Sequence, residues 1–168
     1  MTTIFNAREV FEIAEQIERN GEAFYRKASA IAECPEAKLF LAKLADMESE
    51  HEDLFVKMKE HVSVESREIP DPENQALSYL QAMADGKIFE SHDNPVSKLK
   101  EKESLENIYK TAIGFEKDSV IFFTGIKEMV PDDLGKEKIE ILIKEEMKHI
   151  AVLSRELAAA RKFMQVKK

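Results

Sequence analysis

The chain has 168 residues, with only five glycines, five prolines and no tryptophan, a length that one domain with a substantial core accommodates. Its formal net charge of −8, with acids and bases interspersed, excludes a basic stripe for nucleic acid. No apolar run approaches the roughly 18–20 residues of a membrane span, and a lone Cys34 excludes a disulfide or a cysteine metal cage within one chain.

Met1 to Phe5 lack the basic-then-apolar pattern of a secretion signal, so a cytoplasmic location is expected. Apolar residues then recur at helical spacing in four long stretches. The first helix is predicted from about Ala7 to Ala32, with Val10, Ala14, Ile17, Gly21, Phe24, Ala28 and Ile31 on one stripe. Cys34-Pro35 ends it. The second runs from about Glu36 to Val62 on Ala37, Leu41, Leu44, Phe55, Met58 and Val62. From about Ser63 to Pro95 lies a crossover containing Ile69-Pro70-Asp71-Pro72, a short amphipathic helix near Gln75 to Ala84, and Asp85-Gly86. The third helix is predicted from about Ser97 to Val130, through Leu105, Tyr109, Ala112, Phe123 and Ile126, and Pro131-Asp132-Asp133 stops it. The fourth runs from about Gly135 to Met164 on Ile139, Leu142, Leu153, Leu157 and Ala160, and Gln165 to Lys168 are expected to fray. Short turns make each pair an antiparallel hairpin. Two helical hairpins joined by a long crossover predict an all-α, ferritin-like four-helix bundle.

The chemistry lies in the polar residues that interrupt these stripes. Glu48 and His51 fill two successive core positions of the second helix, and Glu146 and His149 do so in the fourth. Glu18 interrupts the first stripe and Glu116 the third, whereas Glu15 and Glu22 should point elsewhere. Buried, unpaired carboxylates cost several kcal/mol each, on the order of a whole domain's margin when four meet. No lysine or arginine falls on the central layers of the stripes. Two divalent cations supply the missing charge, and carboxylate with imidazole suits iron or manganese. One Glu from each of two helices and Glu-x-x-His from each of the other two is a di-metal carboxylate pattern. Shifting the chain by 98 places lays Glu18 on Glu116, Glu48 on Glu146 and His51 on His149, so each hairpin supplies an equivalent half-site about a pseudo-twofold axis. Gly21 and Ser119 are equivalent under the same shift. Both are small, which suits either a close helix contact or room for dioxygen or peroxide. His61 and His92 lack a glutamate three residues earlier and read as surface groups.

Four stretches carry a family likeness: Ile17 to Tyr25, Met47 to Glu52, Phe115 to Ser119, and Glu145 to Ile150. They resemble the ferritin-like superfamily, and specifically the erythrin domain of rubrerythrins, over nearly the whole chain. The resemblance implies two iron ions bridged by Glu48 and Glu146, one completed by Glu18 and His51 and the other by Glu116 and His149; manganese or a mixed pair would fit the same donors. Tyr25 looks like the tyrosine those proteins keep beside the metals, and equally reads as a core aromatic with a satisfied hydroxyl. Ser119 stands where rubrerythrins carry a further carboxylate, and their four-cysteine rubredoxin domain has no counterpart here. Electrons are therefore expected from a separate donor, such as a rubredoxin-like protein. Bacterioferritins have a similar ligand pattern, but their haem-ligating methionine beside the second-helix glutamate is Ser49 here; Met147 has that placement on the fourth helix, and no haem is expected. The implied function is reduction of hydrogen peroxide or dioxygen by a homodimer. The alternatives are a ferroxidase or iron-storage protein, a hydrocarbon or nucleotide oxidase, and a metal-free interaction bundle.

Overall fold

The computed structural model describes residues 3–62, 68–71 and 95–166. Helix α1 spans Ala7–Ile31 and α2 spans Pro35–His61. Proline at the first position of α2 suits a site whose N–H has no helical acceptor, so the proline that ends one stripe begins the next helix. Helix α3 spans Leu105–Met129 and α4 spans Lys136–Val166.

The third helix begins later than its apolar pattern suggests. Pro95–Lys98 form a 3-10 turn, and α3 starts only after Ser104, whose side chain accepts a 3.2 Å hydrogen bond from the Asn107 amide. That cap satisfies one of the free amides at a helix start and fixes where the helix begins. Before it, Leu99 is buried in the core and Lys27 donates to the Val96 carbonyl at 3.1 Å, so the incoming chain is pinned to α1. Between α3 and α4, a 3-10 turn at Asp132–Leu134 ends on Gly135 with φ of 98°, a left-handed conformation that glycine adopts without strain. The fourth helix continues through Val166, and Lys167 and Lys168, the last residues of the stretch expected to fray, lie outside the described residues.

One element was not foreseen. Residues Thr3–Asn6 (β1) pair antiparallel with Glu68–Asp71 (β2), with Ile4 opposite Pro70 and Phe5 opposite Ile69. Four-residue strands carry too little periodicity to be read locally, and a two-strand ladder leaves an edge on which Pro70 is tolerated. The expected short helix near Gln75 to Ala84, with Asp85-Gly86, lies outside the described residues, as does His92.

The core falls into two apolar clusters. One joins Val10, Phe11, Ala14 and Ile17 of α1 to Phe55 and Met58 of α2, Phe122, Phe123 and Ile126 of α3, and Ile139 and Leu142 of α4. The other joins Phe24, Tyr25 and Ala28 to Leu41, Leu44, Ala112 and Leu153. Helices α1 and α4 run from the first cluster to the second, and α2 and α3 run the opposite way. The chain leaving α2 must therefore travel back along the bundle before α3 begins, which is why the crossover is long. Each fully buried Leu, Ile or Phe contributes about 1.5–3 kcal/mol. Between the clusters, every helix passes through one polar layer.

Candidate metal centre

That layer holds the six side chains singled out from sequence. Glu18, Glu48, His51, Glu116, Glu146 and His149 are all buried, none more than 5% exposed. They form two overlapping groups, Glu18 with Glu48, His51 and Glu146, and Glu48 with Glu116, Glu146 and His149. Within each group one ligand atom from every residue lies within 4.8 Å of the others. Glu48 and Glu146 belong to both groups. The groups interchange under the 98-residue shift, so the repeat seen in sequence is a repeat in space.

The reason lies in helical phase. Steps of three and four residues keep one face of each helix inward, and on α2 and α4 that face reaches Glu and then His where the two apolar clusters part. The imidazoles stack with ring centroids 5.8 Å apart. Both turn Nδ1 toward the carboxylates: His51 Nδ1 lies 2.8 Å from Glu146 Oε1 and 3.5 Å from Glu18 Oε2, and His149 Nδ1 lies 3.1 Å from Glu146 Oε2, 3.4 Å from Glu48 Oε1 and 3.6 Å from Glu116 Oε1.

Many of these polar atoms are closed off from solvent without a hydrogen-bond partner among the described residues. They are both oxygens of Glu18, Oε1 of Glu48, Oε1 of Glu146, Nδ1 of His51 and Nε2 of His149. Such groups normally find partners, and leaving one unpaired costs about 1–3 kcal/mol, more if it is charged. Their electrostatics show the same tension. Burial first, and then the charge of Glu146 or Glu48 beside them, pushes the carboxyls of Glu18, Glu48 and Glu116 well above the usual range. Glu146 goes the other way: burial opposes its charge, but the imidazoles of His149 and His51 beside it hold it low. Burial also opposes charge on the imidazoles, yet the surrounding carboxylates raise His51 and push His149 up to about 12. Protons are thus drawn into the layer to offset its negative charge. A pair of divalent cations answers the same need with ligand types that favour iron or manganese, so the residues present fit such a centre.

Tyr25 sits at this layer, 2% exposed, and donates its hydroxyl to Glu116 Oε1. Burial and the Glu116 carboxylate raise its phenol well above the usual value, which keeps that proton on the oxygen. Gly21 also serves the site. A Cβ there would meet Glu48 Oε2 at 2.8 Å, so the space that glycine leaves is filled by a proposed ligand rather than left for a small oxidant. His61 is exposed, its Nδ1 2.6 Å from the Lys57 carbonyl, as expected of a surface group.

Two further features are not written in the apolar stripes. Glu15, expected to point elsewhere, does lie outside both groups but is only 9% exposed. It accepts hydrogen bonds from Lys59 and Arg19, each at 2.5 Å, and Arg19 also pairs with Glu52, tying α1 to α2. Glu145 is the second. Its Oε2 lies 3.0 Å from Nε2 of His51, where the ring donates once Nδ1 is left free for a cation. A sequence cue existed, an acid immediately before the fourth-helix glutamate, but only contact between α2 and α4 gives it a role.

No protein-family profile matches the chain, and no curated protein matches it. Among solved structures, a Thermotoga maritima protein provisionally described as a ferritin-like diiron-carboxylate protein aligns over 94% of this chain and 98% of its own. The TM-score is 0.66 and the sequence identity 21%. The fold is the ferritin-like four-helix bundle. In this ferritin-like bundle the polar layer lies midway along four helices, where both apolar clusters shield it. No helix among the described residues is long and apolar enough to cross a membrane.

Proposed function

We propose that the chain is a non-haem di-iron carboxylate protein of the rubrerythrin type. It reduces hydrogen peroxide, or dioxygen, in the cytoplasm with electrons from a separate donor such as a rubredoxin-like protein. The observation that supports this most is the buried layer of four carboxylates and two imidazoles, many of whose polar atoms have no hydrogen-bond partner among the described residues. Its charge imbalance is relieved by two divalent cations, and the neighbouring Thermotoga maritima protein bears a diiron-carboxylate description over the same fold.

Iron bound here as a diferrous pair would supply the two electrons that convert one peroxide and two protons to two waters. The chain's own residues set the conditions. Glu48 and Glu146, shared by the two groups, hold both positions in one frame. Glu145 orients the His51 ring, and Tyr25 keeps a proton at its hydroxyl against Glu116. The apolar clusters exclude water from the layer, which strengthens every electrostatic contact inside it.

Metal analysis of protein purified without oxygen, followed by stopped-flow oxidation of the reduced form, tests this reading. About two irons per chain, faster oxidation by peroxide than by dioxygen, and turnover with an added donor are expected. Oxidation no faster with peroxide, no turnover with any donor, or oxidised iron accumulating far beyond two per chain would count against it. The last outcome would favour iron storage.

A further inference from the structure

The two halves of the polar layer share their six core side chains but differ in what stands behind them. Under the 98-residue shift, the counterpart of Glu145 is Met47 and the counterpart of Tyr25 is Phe123. Behind His51, a carboxylate oxygen lies 3.0 Å from Nε2. Behind His149, Nε2 is shut off from solvent and has no hydrogen-bond partner among the described residues. Its equivalent position offers only a thioether, a weak acceptor. On the carboxylate side the difference is reversed. Glu116 shares its Oε1 with the Tyr25 hydroxyl, whereas neither oxygen of Glu18 receives a hydrogen bond from the described residues.

Both differences act in one direction. A carboxylate on the far nitrogen fixes the tautomer that leaves Nδ1 free, and makes that nitrogen a stronger donor. A hydroxyl donating to Glu116 draws charge away from the oxygen a cation would use. We propose that the two metal positions are unequal, the one at Glu18 and His51 binding a divalent cation more tightly than the one at Glu116 and His149, with Glu145 as the positioning residue responsible. The inference rests on the two-metal reading of the site and adds an order of filling to it: the first ion goes to Glu18 and His51, the second to Glu116 and His149.

Anaerobic titration of the metal-free 168-residue chain with Co2+, followed by calorimetry and by the cobalt absorption bands, reads both steps. Losing a carboxylate behind a ligating histidine typically costs about 10–100-fold in affinity. Glu145→Gln is therefore expected to weaken the first step by about tenfold or more and to leave the second nearly unchanged. Met47→Glu puts a carboxylate at the position equivalent to Glu145 and is expected to tighten the second step while sparing the first. Were the positions equal, Glu145→Gln would spare the first step, because the undamaged position would take the first ion, and only the second would weaken. That result, or equal weakening of both steps, overturns the inequality and leaves the two-metal site standing. Failure of the wild-type chain to bind two Co2+ ions overturns both.

Discussion

Replacing Glu18 by leucine is expected to stabilise the metal-free protein and destabilise the metal-loaded one. Glu18 is 0% exposed and neither of its oxygens has a hydrogen-bond partner among the described residues. Removing one unsatisfied buried polar group relieves about 1–3 kcal/mol, and a leucine of similar size adds apolar burial in its place. A net gain of about 2 kcal/mol is the central expectation, which for a domain of this size raises the thermal midpoint by roughly 4–8 °C. Metal reverses the order. A ligand held at a thousand times its Kd stabilises the folded state by about 4 kcal/mol per site, and the variant loses one of the four donors of its first group. Thermal unfolding followed by far-ultraviolet circular dichroism, on chelator-treated and Co2+-saturated samples of both proteins, measures the crossing. A metal-free variant that melts below metal-free wild type would refute the premise that this carboxylate is uncompensated. So would a wild-type midpoint that Co2+ leaves unmoved.

Gly21→Ala should separate folding from binding. Alanine is favoured over glycine inside a helix by about 0.5–1 kcal/mol, so the metal-free midpoint should rise by a few degrees. The added methyl would stand 2.8 Å from Glu48 Oε2 and displace that carboxylate. Since Glu48 belongs to both groups, both Co2+ steps should weaken together; an unchanged titration would show that Glu48 takes no part in binding. Acidity supplies the last prediction. Glu18, Glu48 and Glu116 have folded-state pKa values above the unfolded 4.5, so the stability they contribute is complete below that pH and is lost as pH rises through the folded values. His51 and His149 act in the same sense from 6.5 upward, while Glu146, held low, opposes only as pH falls through its own range. The metal-free midpoint should therefore fall between about pH 5 and pH 8, and Co2+ affinity should rise over the same interval as protons leave the ligands. Parallel pH series with and without metal check this, and a metal-free midpoint that rises with pH would contradict it.

Much of the site was legible because helical phase is a local property. Glu48 and His51 continue the steps of Leu41, Leu44, Phe55 and Met58, so their inward direction could be read without knowing what they face. The ladder between β1 and β2 could not be read that way, since its strands are four residues long and lie more than sixty residues apart. Glu145 was hidden for a related reason. One residue from Glu146 is a rotation of about 100° around the helix, which puts it off the core stripe. Only the approach of α2 brings His51 to it. Glu15 lies outside the ligand groups as expected, but its ion pairs with Lys59 and Arg19 leave no mark in the pattern, because neither partner belongs to an apolar stripe.

From its sequence alone this protein settled the number and direction of its long helices, the polar residues that enter their buried faces, and the doubling of one half-site. Those features follow from spacings of three and four residues along a single helix. Tertiary structure decided which atoms meet: Tyr25 with Glu116, 91 positions apart, and His51 with Glu145, 94 apart. It also decided which oxygens are left without partners. Contacts of that kind depend on how four separate helices are packed, and no periodicity along one of them records it.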